Sequence, residues 1–146
     1  MERLTNEFNN LLEIPEPCIT VNLVDQSLFH WRGTLNGPDE SPYEGGMFKF
    51  EITFPSNFPA SPPTFYFKTK IFHPNVHPSD GRICCEIFNS GWKPKVTVRT
   101  VISYVIALLY NPSPNGFSTE INTLCAQNMD LYNQRAREWT QQYAMG

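Results

Sequence analysis

The amino-acid sequence predicts one α+β domain over residues 1–146: an N-terminal helix, a four-stranded antiparallel meander sheet, a long active-site loop, a central helix and two C-terminal helices. Three observations predict it. Segments with period-two alternation follow one another with turn-sized gaps, which favours a meander over parallel crossovers. Helical apolar stripes occur at the N-terminus and again after residue 97. Between them lies a stretch without either period that nevertheless carries apolar anchors.

The N-terminal helix is predicted over Met1–Leu12. One face carries apolar side chains, namely Leu4, Phe8, Leu11 and Leu12. The opposite face carries polar ones, namely Glu2, Arg3, Asn6, Glu7 and Asn9. Pro15 and Pro17 predict the end of this helix.

Four strands are predicted by alternation of apolar and polar residues, over Ile19–Leu23, Phe29–Leu35, Phe48–Phe54 and Thr64–Lys68. The third has the clearest period. The turn region between the second and third opens at Asn36-Gly37-Pro38 and closes at Gly45-Gly46.

Three helices are predicted after the loop. The central one carries a wide apolar stripe from Val98 to Leu109, with Thr97 as its N-cap, and is expected to lie against the sheet. The segment 111–116 breaks it. Further helices are predicted from about Ser118 and from Asp130.

Composition excludes several classes of function. A net charge of −3 gives no electrostatic reason to expect nucleic acid as a partner. No apolar run approaches the roughly 20 residues of a membrane span, and the polar N-terminus is unlike a signal peptide. The spacing of Cys18, Cys84, Cys85 and Cys125 fits no zinc site, so we expect no metal and interpret them as free thiols in the cytoplasm or nucleus.

The irregular segment from Ile71 to Trp92 holds two of the four cysteines and two of the three histidines. An ordered stretch of this length without regular structure is typical of a functional loop. It combines an amide side chain, Asn75, with a thiol, Cys84. Taken alone, Asn75 is a turn former and a free cysteine is a small buried hydrophobe.

The order and spacing of motifs in this segment resemble the active-site signature of the ubiquitin-conjugating enzymes: His73-Pro74-Asn75, then Gly81-x-Ile83-Cys84, then Trp92-x-Pro94. The resemblance extends over the whole chain. It includes Tyr43-x-Gly45-Gly46, Phe54-Pro55, Phe58-Pro59, Pro62-Pro63, Tyr132-Asn133 and Ala136-Arg137-Glu138-Trp139-Thr140.

The resemblance implies acyl transfer through a thioester. Cys84 would be the nucleophile that carries the C-terminus of ubiquitin, and Asn75 would donate its carboxamide to the oxyanion. His73 would be a structural hydrogen-bonder rather than a base, and Pro74 would fix the bend. Cys85 is interpreted as a packing residue. Cys18 and Cys125 are assigned to the core. His30 and His77 are assigned to the surface or to strands.

The sequence departs from the family where lysine-modifying members usually place a carboxylate, near Asn115-Gly116, and its loop is about one residue shorter. Glu86 is the candidate replacement and Asp80 a weaker one. Without an acid, the hypothesis is preferential transfer of ubiquitin to a cysteine of a ligase rather than to lysine.

The resemblance implies three partners: ubiquitin, the ubiquitin-activating enzyme and a ubiquitin ligase. ATP is used by the activating enzyme, so no cofactor is expected here, and the chain is expected to be a monomer. The surface for the ligase and the activating enzyme would comprise Arg3, Pro59, Ala60, Lys93, Pro94 and Lys95. Ala60 replaces the bulky apolar residue that often anchors ligases. Thr20 matches a backside position where ubiquitin binds non-covalently.

Three alternatives stay open at this point. The first is conjugation of a ubiquitin-like modifier, against which the lack of a basic N-terminal extension argues. The second is a non-catalytic ubiquitin-binding scaffold, which would not need Cys84. The third is a cysteine hydrolase in which His73 or His77 activates Cys84, although the sequence supplies no third member to orient the histidine.

Overall fold

A computed structural model describes residues 2–14 and 17–145. Its elements follow the predicted order: α1 Glu2–Glu13, β1 Ile19–Val24, β2 Ser27–Asn36, β3 Met47–Thr53, β4 Thr64–Phe67, a 3-10 turn Glu86–Phe88, α2 Val98–Tyr110, α3 Thr119–Gln127 and α4 Met129–Tyr143. The predicted α+β fold is therefore confirmed. Two positions used to predict the ends of α1, Met1 and Pro15, lie outside the described residues.

The sheet is an antiparallel meander with strand order β1-β2-β3-β4, as the alternation predicted. Leu35 is paired with Phe48, Gly33 with Phe50, and Trp31 with Ile52. Because successive residues of a strand point to opposite faces, these positions share one face, and their large side chains are fully buried. The opposite face is left to polar and charged side chains.

Helix α2 begins where the sequence predicted. The side-chain oxygen of Thr97 accepts a hydrogen bond from the backbone N–H of Thr100, which satisfies a donor left free by the first turn. Five of its residues are buried, namely Val98, Val101, Ile102, Val105 and Leu109. Four of them belong to the same buried cluster as the inner face of the sheet.

Helix α1 differs from its predicted faces at two positions. Leu12 is 54% exposed, whereas Glu7 is buried. The burial of Glu7 has a physical reason, because one carboxylate oxygen accepts the backbone N–H of Val98 at 2.9 Å and the other accepts Arg3 Nε at 2.8 Å. Glu7 therefore joins α1 to the N-terminal end of α2.

The cysteine assignments were right at one position and wrong at another. Cys125 is buried in the core, whereas Cys18 is only half-buried and lies outside the core cluster. Cys18, Cys84, Cys85 and Cys125 form no disulfide bond. Within residues 2–14 and 17–145, no helix is long and apolar enough to cross a membrane, and no group of three His, Cys, Asp or Glu side chains is placed to hold a metal ion.

Two tyrosine hydroxyls fix the start of the loop that follows β4. Tyr43 Oη donates to the carbonyl of Phe72 at 2.6 Å, and Tyr132 Oη lies 2.6 Å from Tyr43 Oη. Both rings are fully buried, and burial raises the pKa of each hydroxyl. The pair joins α4 and the β2–β3 connection to the residue directly before His73.

Candidate active site

The segment from Asn75 to Cys84 folds back on itself as an irregular hairpin. The Cys84 N–H donates to the Asn75 carbonyl at 2.7 Å, and the His77 N–H donates to the Arg82 carbonyl at 2.8 Å. An isolated antiparallel bridge joins Val76 to Ile83 between them. This hairpin places the backbones of Asn75 and Cys84 beside each other at its open end, and both residues border one groove.

Gly81 fixes the hairpin against β4. Its φ is +77°, a backbone conformation that side-chain-bearing residues rarely adopt, and a Cβ there would lie 2.0 Å from the carbonyl oxygen of Phe67. In return, the Phe67 N–H donates to the Gly81 carbonyl at 2.9 Å. Only glycine allows this close approach.

His73 makes a hydrogen bond through each of its two ring nitrogens. Its Nδ1 accepts the backbone N–H of Asn75 at 3.0 Å, so the ring proton is on Nε2, which donates to the Leu108 carbonyl at 2.6 Å. That carbonyl lacks its usual helical donor because residue 112 is a proline. Both ring nitrogens are thus occupied, and neither is left to activate Cys84.

Burial lowers the pKa of His73 to about 4. The folded state therefore holds the ring neutral, whereas the unfolded chain protonates it near pH 6.5. Stability contributed by this residue is complete above pH 6.5 and is lost as the pH falls toward 4, because the unfolded state binds the proton first. The difference between the pKa of His73 in the folded and in the unfolded state corresponds to about 3 kcal/mol of stability.

We accordingly expect the free energy of unfolding to fall between pH 6.5 and 4 more steeply in the wild type than in His73→Gln. The difference between the two slopes should correspond to the uptake of up to one additional proton on unfolding of the wild type. Denaturant titrations at several pH values measure this. Because both proteins share the same carboxylates, acid titration of Asp and Glu cancels in the comparison. Equal slopes would contradict the assignment.

The carboxamide of Asn75 is held in one orientation. Its Oδ1 accepts the backbone N–H of Ser113 at 2.9 Å, and the residue is 3% exposed. Among the described residues, every buried side-chain nitrogen or oxygen has a hydrogen-bond partner. Asn75 Nδ2 has no hydrogen bond to any described residue, so it is not one of these buried atoms. Nδ2 therefore reaches the surface, where it is free to donate to an incoming oxygen.

Cys84 is half-buried and lies between two grooves. The first, here called the Asn75 groove, has a volume of about 630 Å³ and is bordered by Asn75 and Cys84. The second, the Phe117 groove, has about 300 Å³ and is bordered by Cys84 and Phe117. Cys85 borders the Asn75 groove but not the Phe117 groove, and it packs partly against the core. Cys84 is thus the thiol accessible from both sides.

The loop after α2 leaves no room for a side chain at position 116, which is one of the two positions near which the acid is missing. A Cβ at Gly116 would lie 1.8 Å from the Pro74 carbonyl oxygen, which accepts the N–H of Phe117 at 2.8 Å. An acidic side chain at position 116 therefore does not fit this loop conformation. Asn115 borders the Asn75 groove.

The two candidate replacements for that acid lie in different places. Glu86 is exposed and borders the Asn75 groove together with Cys84. Asp80 borders neither groove at Cys84. Its carboxylate is bonded to Arg82, whose backbone N–H and guanidinium lower the pKa of Asp80. Of the two, only Glu86 is near the thiol.

Comparison with known proteins shows the family of this chain. Residues 3–140 match the sequence model of the family described as "Ubiquitin-conjugating enzyme". The chain is 39% identical over 144 residues to ubiquitin conjugating enzyme E2 B of Dictyostelium discoideum, which covers 98% of this chain and 97% of that protein. The chain belongs to the ubiquitin-conjugating enzyme family. The solved E2 domain of a ubiquitin conjugating enzyme from Toxoplasma gondii has a TM-score of 0.88 and 33% identity, covering 98% of this chain and 97% of that one.

The residues expected to contact the ligase and the activating enzyme lie around one contact between two loops of this ubiquitin-conjugating enzyme. Trp92 Nε1 donates to the Pro59 carbonyl at 2.9 Å, which joins the proline-rich loop to the loop before α2. Ala60 and the Lys93–Lys95 segment are exposed beside it. No pattern in the sequence predicts this indole hydrogen bond, although a buried Trp N–H usually finds an acceptor.

Arg3 has an internal role at this surface. Its guanidinium nitrogens donate at 2.8 Å to the Pro94 carbonyl, to the Val96 carbonyl and to Glu7. The side chain thus holds the Lys93–Lys95 segment of the conjugating enzyme against α1. Any contact of Arg3 with a partner would compete with these bonds.

Thr20 lies on the exposed face of the sheet, on the side away from the core. Its hydroxyl is 2.8 Å from that of Thr34 on the neighbouring strand. The position is accessible, as a backside contact of a conjugating enzyme would require, and it remains a prediction.

Proposed function

We propose that this ubiquitin-conjugating enzyme accepts ubiquitin as a thioester on Cys84 and passes it to a lysine or to the cysteine of a ligase. One observation carries the proposal. Cys84 is accessible from two grooves, and the carboxamide nitrogen of Asn75 is presented to one of them by the bond between Asn75 Oδ1 and Ser113.

The chemistry requires two acyl transfers with the same parts. In the first, the Cys84 thiolate attacks the carbonyl carbon of ubiquitin held on the activating enzyme, and the activating enzyme's cysteine leaves as a thiolate. In the second, an amine or thiol attacks the same carbon, and Cys84 leaves. Each passes through a tetrahedral oxyanion, which Asn75 Nδ2 would stabilise.

The two grooves fit the donor and the acceptor of the second step. In this proposal the carbonyl oxygen faces Asn75, and the acyl chain is assigned to the Asn75 groove because it is the larger of the two. The acceptor then approaches from the Phe117 groove. A cysteine hydrolase fits less well, because His73 is neutral and fully occupied and His77 Nδ1 accepts the N–H groups of Ser79 and Asp80.

The proposal is tested by mixing the protein with activating enzyme, ATP and ubiquitin. We expect an adduct of one ubiquitin per chain that a thiol reductant removes. Parallel reactions with ubiquitin-like modifiers and their own activating enzymes identify the modifier. The absence of any thiol-sensitive adduct with ubiquitin would refute the proposal.

The acceptor preference follows from the missing acid. A lysine of pKa near 10.4 is only about 0.04% deprotonated at pH 7. Of the residues that the structure describes, Glu86 is the only carboxylate bordering the Asn75 groove, and it is exposed. We expect the charged enzyme to discharge much faster to free cysteine than to free lysine. Glu86 borders the Asn75 groove and not the Phe117 groove, so it acts on the acceptor only if its exposed side chain reaches past Cys84. In that case Glu86→Gln slows lysine discharge several-fold without affecting cysteine discharge, and an unchanged rate means that Glu86 does not replace the missing acid.

Single-turnover gels after removal of ATP measure both rates. Glu120→Gln, which neutralises an exposed carboxylate on α3, is the matched control. Comparable discharge to lysine and cysteine in the wild type would count against the preference for cysteine.

A further inference from the structure

The Phe117 groove continues away from Cys84 through two further depressions. Arg82 and Thr64 border both the Phe117 groove and a second groove of about 460 Å³ beside Tyr66, here called the Tyr66 groove. Lys68 borders the Tyr66 groove and a third groove of about 410 Å³ on the exposed face of the sheet. Shared lining residues thus connect the thiol to the sheet face by one track.

The track has a charge opposite to that of the whole chain. It is bordered by four cations and two carboxylates, a net charge of +2, whereas the chain carries −3. The cations are Arg32, Lys49, Lys68 and Arg82, and the carboxylates are Glu51 and Asp80. An extended region of this sign attracts acidic segments and repels basic ones.

Both carboxylates of the track are engaged by neighbours. Glu51 Oε1 lies 2.5 Å from His30 Nε2 and accepts the Tyr66 hydroxyl at 3.0 Å. Asp80 accepts Arg82 Nε at 2.8 Å.

The cations of the track keep donors free. Among the described residues, no carboxylate lies within ion-pair distance of Arg32 or Lys49. Lys68 Nζ lies over the Tyr66 ring at 5.6 Å. The guanidinium of Arg82 lies over the Phe117 ring at 5.7 Å, and its two terminal nitrogens have no hydrogen bond within the described part of the chain. The positive groups therefore remain available to a ligand.

We propose that this track binds the acceptor protein and selects lysines carried in acidic segments. The inference rests on the proposed function, because it assigns the acceptor side of the Cys84 thioester. Within the described part of the chain, Arg82 is the only charged residue bordering the Phe117 groove, so a lysine ammonium approaching alone is repelled. Acidic neighbours on the same segment offset that repulsion, and near Arg82 the amine is favoured in its neutral, nucleophilic form.

The transfer step balances without a further reactant. The neutral amine nitrogen forms a bond to the acyl carbon, the carbon–sulfur bond to Cys84 breaks, and Cys84 leaves as a thiolate. The extra proton of the amine passes to water. The track contributes to binding and orientation only.

The dimensions of the track set the spacing of the acidic residues. Thr64 begins β4 and Lys68 directly follows its last residue, so the two are four positions apart, or roughly 13 Å at about 3.3 Å per residue. Lys49 lies on the neighbouring strand, and its carbonyl accepts the Lys68 N–H at 2.8 Å. An extended acceptor segment spans that distance with about four residues. The target lysine reacts at Cys84, beyond Thr64 on the same track, so acidic residues about four or more positions from that lysine would be needed to meet Lys68 and Lys49.

The test uses the full chain charged with ubiquitin, separated from the activating enzyme and ATP. Two peptides with a single lysine each serve as acceptors: one has Glu at positions four to six on either side, and the other has Gln at the same places. We expect roughly tenfold faster discharge to the acidic peptide at low ionic strength. The difference should shrink in about 0.5 M salt.

The double variant Lys49→Glu, Lys68→Glu should abolish the preference while leaving discharge to free lysine and free cysteine unchanged. Arg135→Glu, Arg137→Glu on α4 makes the same change in charge elsewhere and should keep the preference. Equal rates for the two peptides with charged wild type would overturn the inference, as would a preference that survives in the Lys49, Lys68 variant. Failure to charge at all would instead count against the proposed function.

Discussion

Replacing Cys84 by serine is expected to abolish the thiol-sensitive ubiquitin adduct completely. A serine hydroxyl stays protonated near neutral pH and cannot form a thioester, so the variant forms either no adduct or an oxygen ester. Such an ester would resist a thiol reductant and be cleaved by base or hydroxylamine. Non-reducing gels of the charging reaction, with and without reductant, distinguish these products.

Cys85→Ser is the matched control, because the two thiols are adjacent, half-buried and both border the Asn75 groove. It should charge at the wild-type rate, since only Cys84 is also accessible from the Phe117 groove. A thiol-sensitive adduct that persists in Cys84→Ser and disappears in Cys85→Ser would transfer the nucleophile to the second position.

The strands and helices were predictable because their patterns are local. The sheet has one buried face, so alternation in β3 directly records which side chains enter the core. The error at Glu7 has the opposite origin. Its spacing from Leu4 and Leu11 places it on the buried stripe, but its charge suggested the exposed face. The carboxylate is buried because it meets two donors, Val98 N–H and Arg3, and the first is distant in sequence.

The residues of the candidate site could be predicted from the sequence, but most of the hydrogen bonds that hold them in place could not. The motif order indicated Asn75 and Cys84, but nothing in the sequence period shows that Asn75 Oδ1 meets the backbone of Ser113, 38 positions away. One support did leave a signal. Pro112 cannot donate to the Leu108 carbonyl, so a buried donor had to be found elsewhere, and His73 supplies it.

Gly116 shows why a departure from a family pattern needs coordinates to interpret. From the sequence, the absence of an acid near Asn115-Gly116 indicated only altered acceptor chemistry. The structure adds a packing reason, because the Pro74 carbonyl occupies the space where a side chain at position 116 would begin. The loop that orients Asn75 and the loop that lacks the acid are the same segment, so the two features are coupled.

Asn75 should matter for both acyl transfers, and two substitutions separate its roles. Asn75→Ala removes the donor to the oxyanion and also leaves the Ser113 N–H without its acceptor. Asn75→Asp keeps an oxygen for Ser113 but replaces the free N–H donor by a second acceptor. One oxyanion donor contributes about 2.7–4 kcal/mol, so we expect lysine discharge to slow roughly 10²–10³-fold in the alanine variant.

The aspartate variant decides between stabilisation of the oxyanion and support of the loop. If Asn75 acts only by holding the Ser113 loop, Asn75→Asp should discharge nearly as fast as the wild type. If Nδ2 donates to the oxyanion, the aspartate should be at least as slow as the alanine, because it places negative charge beside the developing one. Ser113→Ala is the control: its backbone N–H still reaches Asn75 Oδ1, so its single-turnover rate should equal that of the wild type.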